Sequence, residues 1–404
     1  MKRRKNVILV EDRWWSHHPM WYRIILQYFF EKTDYNLGLI CAFPENIKIW
    51  IEENYPQEMG RVEIQYLKYY QALNNRSHNR IYNFYLKLRP LMTFRKAINK
   101  MVKKMGGAPE FIFFGTVDDI LHTCVPTKVC NKMFTYPWTG IYHRPVHVEA
   151  IVSGCSPDRV ARVTAMESCL GIYHFQENFE EQMTRDFGVQ MKYFPEFTDI
   201  SQEDCESKIV SEILERAAGR KIIGVSGLLQ PPKGIYTMHE VARHTQDEFF
   251  FAFIGNNDTP GGAEVMKSIK QRFAVDNLEN VYSHYHYVES HAEFNKILKT
   301  FDLIWGAYEN FPWGSNHLGK AASLKRPIIV SDSGVMGDRV KKYNMGITIR
   351  EGSPLDAYLK IKDYFRSTDS KEHGFSCYWE DNCPEVAYQH FDNLRESYMH
   401  GRIY

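Results

Sequence analysis

The sequence has no pair of cysteines at metal-ligand or redox-motif spacing, no long apolar run, and no glycine-rich turn after its first apolar strand. Its eight cysteines (41, 124, 130, 155, 169, 205, 377 and 383) are scattered with no CxxC pair. That excludes zinc-ribbon and thioredoxin-type sites and predicts reduced thiols in a cytosolic chain. Nowhere do about 18 apolar residues run together, so a membrane-spanning helix is not expected. The basic start MKRRK leads into an apolar run of only Val7 to Val10, too short for the core of a signal peptide. The expectation is a cytoplasmic protein, soluble or peripheral on a membrane. An excess of one charge is also missing. Lys+Arg 50 against Asp+Glu 49 leaves a net charge of +1, which argues against a protein whose main work is coating nucleic acid.

Two nucleotide motifs fail at specific positions. After Val7–Val10 a dinucleotide fold needs GxGxxG, and the chain instead reads Glu11-Asp12-Arg13-Trp14-Trp15-Ser16-His17-His18. Gly314-Ser315-Asn316-His317-Leu318-Gly319-Lys320 has the GxxxxGK spacing of a phosphate loop, but Ala321 stands where the magnesium-binding hydroxyl belongs. A Rossmann dehydrogenase and a P-loop NTPase are set aside on these grounds.

What is present is ordinary globular composition, 44% hydrophobic and 25% charged, on 404 residues, enough for two or three domains. The second half alternates short apolar runs with helical patterns. Strands are expected at 221–226, 249–254, 280–283, 302–305, 327–330 and 346–349, with helices at 236–244, 263–273, 291–299, 316–325, 335–343 and 354–365. Such alternation predicts an α/β, doubly wound parallel sheet. The first half opens the same way, with strands at 6–10, 36–42, 111–115 and 171–175 and helices at 20–32 and 177–187. The predicted division is a first domain over 1–198, a polar connection over 199–220, a second domain over 221–375 and a helical tail over 376–404.

Candidate chemistry follows the ends of the predicted strands, where open α/β sheets bind ligands. In Val225-Ser226-Gly227-Leu228-Leu229-Gln230-Pro231-Pro232-Lys233-Gly234, Gly227 permits close backbone approach. Lys233 and Gly234 stand where a helix N-terminus would meet a diphosphate, although a loop with a solvated lysine reads the same way. Gly255, after the next strand, is a further candidate donor contact. Between Phe301 and Gly346 a strand, a turn-rich loop and a helix bring Glu309, Ser315, Asn316 and Lys320 into one region. A carboxylate for sugar hydroxyls beside a helix N-terminus and a lysine fits a sugar nucleotide. In the first half, Trp14, His17 and His18 follow the first strand, with His17 also a catalytic candidate. Aromatic faces stack on sugars and a histidine can bond a hydroxyl or phosphate, while packing aromatics and surface histidines are the plain alternative. Asp118, after the strand at 111–115, and Trp138 complete the acceptor candidates, with helix capping the common alternative use of the aspartate.

These motifs and the two-sheet layout resemble GT-B glycosyltransferases of the large retaining, nucleotide-sugar-dependent class, the family 4-like group. Residues 221 to 350 carry the similarity, and the first domain shares the layout. The family reads G-R-L-x-x-x-K-G in its first donor loop, and Lys233 matches the diphosphate-binding lysine while no arginine precedes it. Aligned on Pro327, Lys320 stands at the second glutamate of the family's later motif, and Glu309 lies three residues upstream of the first. The resemblance implies two Rossmann-like domains facing a cleft, with a C-terminal helix packing back on the first. It also implies a nucleotide-sugar donor, a glycan or lipid-linked acceptor in glycan, polysaccharide or glycolipid synthesis, and transfer with retention. No metal or other cofactor is expected. A non-catalytic glycan or nucleotide-sugar binder of the same shape is the alternative.

One feature stands apart from the family. Between Glu63 and Glu110 there is no acidic residue in 46 positions, while ten lysines and arginines from Lys68 to Lys104 and seven aromatics fall there. The segment suits anionic lipid headgroups or an anionic acceptor, and equally a solvated helix face with a packed reverse side. Nucleic acid is the third reading, and no nucleic-acid partner is expected.

Overall fold

The computed structural model describes residues 4–13, 18–68, 80–118, 127–143, 167–199, 201, 204–259, 261–367 and 374–399. The chain divides into two compact units, Met1–Pro195 with Pro384–Tyr404, and Glu196–Cys383.

Among the described residues, the first unit carries a seven-stranded, wholly parallel sheet: β1 (Asn6–Glu11), β2 (Asn36–Cys41), β3 (Val62–Tyr66), β4 (Pro109–Phe114), β5 (Trp138–Tyr142), β6 (Cys169–His174) and β7 (Met191–Tyr193). Its order is β3-β2-β1-β4-β5-β6-β7. The crossovers include α1 (His18–Lys32), α2 (Pro44–Asn54), α3 (Arg80–Met105), α4 (Thr127–Met133) and α5 (Glu180–Phe187). Val7–Val10 of β1 reads as a continuous apolar run because helices cover both faces of a parallel sheet, and all six residues of the strand are buried.

The second unit has a six-stranded parallel sheet: β8 (Lys221–Ser226), β9 (Phe249–Ile254), β10 (Val281–His284), β11 (Leu303–Gly306), β12 (Ile328–Ser331) and β13 (Gly346–Ile349), in the order β10-β9-β8-β11-β12-β13. Its helices are α6 (Lys208–Ala217), α7 (Ile235–His244), α8 (Gly262–Asp276), α9 (His291–Thr300), α10 (Asn316–Leu324), α11 (Gly334–Tyr343), α12 (Pro354–Arg366) and α13 (Phe375–Asn382). The period-2 geometry of a strand splits β9 between two cores. Phe250, Ala252 and Ile254 pack on one face, and Phe249, Phe251 and Phe253 on the other.

The expected connection at 199–220 is corrected by α6. Ser207 caps this helix by accepting from the Val210 N–H, and Ile209, Ile213 and Ala217, at i, i+4 and i+8, are buried in the second unit's core. The stretch looks polar because only one stripe of it is apolar. The tail also divides: α13 packs Tyr378 on Tyr343 within the second unit, ring centroids 5.2 Å apart. The last helix, α14 (Pro384–Met399), belongs to the first unit. There Phe391 meets Tyr28, Phe29, Phe113 and Phe194 at centroid distances of 5.1 to 5.8 Å, and Tyr28 donates to Asp392 at 2.7 Å. The six described cysteines are free thiols. Among the described residues no helix is long and apolar enough to cross a membrane.

Candidate functional site

In each sheet the strand order reverses once, between β1 and β4 and between β8 and β11. The crevice beyond the carboxyl ends of such a strand pair is where doubly wound sheets place ligands. A polar cluster occupies that position in each unit.

In the second unit the loops after β8 and β11 are fastened to each other. The Trp305 indole donates to the Lys233 carbonyl at 3.2 Å, the Glu309 N–H to the Pro232 carbonyl at 2.8 Å, and the Thr237 hydroxyl to Glu309 Oε1 at 2.5 Å. Gly227 (φ +84°) and Gly255 (φ +134°) let the ends of β8 and β9 touch, since a Cβ on Gly255 would lie 1.9 Å from the Gly227 carbonyl oxygen. Lys233 closes a short 3-10 turn directly before α7, and its side chain folds back so that Nζ donates to the Ser226 carbonyl at 2.7 Å. The ammonium lies 5.7 Å from the Tyr308 ring centroid, and among the described residues no carboxylate forms an ion pair with it. Burial without a counter-charge lowers its pKa to about 7.

His317, on the first turn of α10, stands beside this lysine. Its Nε2 is 3.1 Å from the Ser226 hydroxyl and its Nδ1 3.1 Å from the Tyr308 hydroxyl, so one imidazole joins the ends of β8 and β11. Burial, reinforced by the charges of Lys233 and Lys320, holds the ring well below its ordinary pKa and therefore neutral. Ser315 caps α10 by accepting from the His317 N–H, and its hydroxyl is 3.3 Å from that of Tyr308. The N-termini of α7 and α10 thus meet a lysine that has no carboxylate ion pair among the described residues. Backbone N–H groups at helix starts and a dehydrated cation form a receptor for an anion such as a diphosphate.

The structure brings Gly227, Lys233, Gly255, Glu309, Ser315 and Asn316 to this end of the sheet: Asn316 is the first residue of α10, and Glu309 is partly exposed. Lys320 is a correction. It is buried, and Nζ donates to the Asp199 carbonyl at 2.7 Å, to Asn295 Oδ1 at 2.7 Å and to Asp199 Oδ2 at 3.2 Å. All three ammonium protons are thereby used inside the unit. Burial alone would raise the Asp199 pKa, but His291 and Lys320 more than reverse that and keep it ionised.

In the first unit Glu11 ends β1 and is buried. Its Oε1 accepts from the Arg13 N–H at 2.9 Å, and its Oε2 is 3.5 Å from His18 Nδ1. Gly115 makes room for the carboxyl, since a Cβ there would sit 2.3 Å from Oε2. Burial pushes the Glu11 pKa up to about 8, so the group is mostly a neutral acid at pH 7. His143, directly after β5, donates its backbone N–H to Asp118 Oδ2 at 3.0 Å, and its Nε2 is 2.7 Å from the Gly115 carbonyl. A carbonyl only accepts, so Nε2 carries the proton and Nδ1 the lone pair. Burial, then the neighbouring His18, lowers the His143 pKa to about 3. Its ring stacks on Trp21 at 4.9 Å and lies 4.9 Å from His18.

Of the acceptor candidates, His18 and Asp118 fall in this cluster. Trp138 is a correction: it begins β5, at the opposite end of the strand, and packs in the core against Phe114 and Phe134. Trp14 and His17 lie outside the described residues. The sequence alone does not single out Glu11, Ser226, Tyr308 and His317. A usable signal is there, because Glu11 and Ser226 are polar residues that close the apolar runs of their strands, VILV and IIGV. Among the described residues no three His, Cys, Asp or Glu side chains converge as a metal site would require.

No protein-family model and no curated protein matches the chain. Solved structures do. Anabaena HepE in complex with UDP and glucose superimposes with a TM-score of 0.65 at 12% identity, covering 97% of this chain and 100% of that one. Sucrose-phosphate synthase from Thermosynechococcus elongatus gives 0.68 at 15% identity over 98% and 100%. An α,α-trehalose-phosphate synthase (UDP-forming) from Burkholderia vietnamiensis gives 0.69 at 10% identity over 98% and 99%. The chain therefore has the two-sheet GT-B fold of these proteins.

Proposed function

We propose that this GT-B chain is a glycosyltransferase that moves a sugar from a nucleoside-diphosphate sugar to an acceptor hydroxyl. The observation that carries the reading is Lys233, a buried amine with no carboxylate ion pair among the described residues, held at the β8/β11 switch point between two helix N-termini. A buried cation site without a counter-ion costs stability, and an anionic ligand offsets that cost. HepE, of the same fold, was solved in complex with UDP-glucose, which supports a nucleotide sugar as that ligand.

In this reading Lys233 and the starts of α7 and α10 hold the diphosphate, with Ser315 and Asn316 at the second helix. Glu309, braced by Thr237, accepts from sugar hydroxyls of the donor. The bond from the anomeric carbon to the diphosphate oxygen breaks, and one to the acceptor oxygen forms. The acceptor's proton leaves on the departing diphosphate, whose charge Lys233 and the helix N–H groups stabilise. Charge supplied this way requires no metal. Retention of configuration, and a glycan or lipid-linked acceptor bound near Glu11, His18, Asp118 and His143, complete the proposal.

Saturation-transfer NMR with UDP, GDP and ADP sugars tests donor binding without an acceptor, and at least one nucleotide is expected to give a signal. Silence across the panel overturns the reading. A second reading, binding without catalysis, is favoured by the use of Lys320 as an internal tie where the family pattern has a glutamate. Nucleotide release on adding an acceptor to the donor complex separates the two.

A further inference from the structure

We infer that α3 docks the protein on the surface of an anionic lipid bilayer. The helix has one packed face, with Leu91, Phe94, Ile98 and Met101 buried. At 3.6 residues per turn, Ile81, Tyr85, Met92, Arg95, Lys96 and Lys103 fall within a stripe about 100° wide on the opposite side. All six are solvent-exposed, with Ile81 at 82%, Tyr85 at 49% and Met92 at 46%. The stripe is graded along the helix, apolar in the turns before Arg95 and basic after it.

Charge complementarity selects the partner. No acidic residue occurs from Ile64 to Pro109, so nothing within this segment offsets its positive field. Phospholipid headgroups supply the matching negative charge, and the acyl boundary just below them accepts an exposed isoleucine and methionine. A nucleic acid supplies the charge but no apolar layer for Ile81 and Met92. The tyrosine suits the interface, where its ring is buried and its hydroxyl stays wet. The helix therefore lies along the surface, its first half dipping into the headgroups and its second half held by them. This inference stands whether or not the chain transfers sugar.

The test is co-sedimentation of the full chain with vesicles of phosphatidylcholine alone and of phosphatidylcholine mixed with phosphatidylglycerol. Binding is expected to the mixed vesicles only and to weaken with salt. Lys96→Ala with Lys103→Ala should lower affinity about 25-fold, at about fivefold for each basic residue removed. Ile81→Ser with Tyr85→Ser should also lower it while leaving the salt dependence in place. All four positions are exposed, and circular dichroism verifies that each variant keeps its fold. Equal affinity for neutral vesicles, no affinity for anionic ones, or indifference to both double variants overturns the inference. So does tighter binding to RNA at the same ionic strength, or a dimer that Ile81→Ser dissociates, because the face then serves another partner.

Discussion

Replacing Lys233 by methionine should leave a protein that is more stable and unable to turn over. The wild-type amine is buried, and its pKa falls from 10.5 to about 7. One pKa unit corresponds to about 1.4 kcal/mol. Burying this lysine therefore costs on the order of 4 kcal/mol at pH 7, where the unfolded chain still holds the proton fully. Methionine fills similar space with no charge to dehydrate, but leaves the Ser226 carbonyl without its donor, a loss of about 1–3 kcal/mol. A net gain of about 1–3 kcal/mol remains. The sign has a pH signature. Because the folded pKa is depressed, the unfolded chain binds the extra proton between about pH 7 and 10.5, so wild-type stability rises with pH across that window and is lost as pH falls through 7. The variant lacks this dependence, so its advantage should shrink by up to about 1.4 kcal/mol per pH unit. Urea unfolding of both proteins at about pH 6, 8 and 9.5 measures the gap. A gap that does not move with pH, or a variant that still transfers sugar, refutes the role given to Lys233.

Two further outcomes follow from the same geometry. UDP binding at about pH 8 should take up nearly one proton, since the free amine is mostly neutral there and a bound diphosphate favours its charged form. Calorimetry in buffers of different ionisation enthalpy reads the uptake directly, and a buffer-independent heat contradicts it. Lys320→Ala should destabilise the protein by about 3–5 kcal/mol by stranding Asp199 and Asn295, with little change in nucleotide affinity. A large loss of affinity in a stably folded variant would return Lys320 to the donor site.

The second sheet was legible because its strands are short, mostly apolar and separated by helices with clear polar faces. Three predicted strands there, at 221–226, 249–254 and 346–349, coincide with β8, β9 and β13. β5 was missed because Trp138-Thr139-Gly140-Ile141-Tyr142 mixes a polar residue and a glycine into a strand, although all five are buried. Here Thr139 hides its hydroxyl by donating to the Gly171 carbonyl at 2.8 Å. Lys233 could be found from local spacing, since its place between a strand end and a helix start is a sequence-local property. The part played by His317 could not. It depends on Ser226 and Tyr308, which come near it only when β8 and β11 pair. Lys320 failed for the converse reason: its neighbour Asp199 lies 121 residues away in sequence.

The return of the chain to the first unit at Pro384 sets an order on biosynthesis. Residues 196–383 form an uninterrupted stretch and can collapse as soon as they leave the ribosome. The earlier half must wait, since Phe29, Phe113 and Phe194 keep an uncovered apolar flank until Phe391 is made. A fragment ending at residue 195 should therefore aggregate when expressed alone, whereas one spanning 196–383 should remain dispersed. The last helix is the step that completes the first-made half.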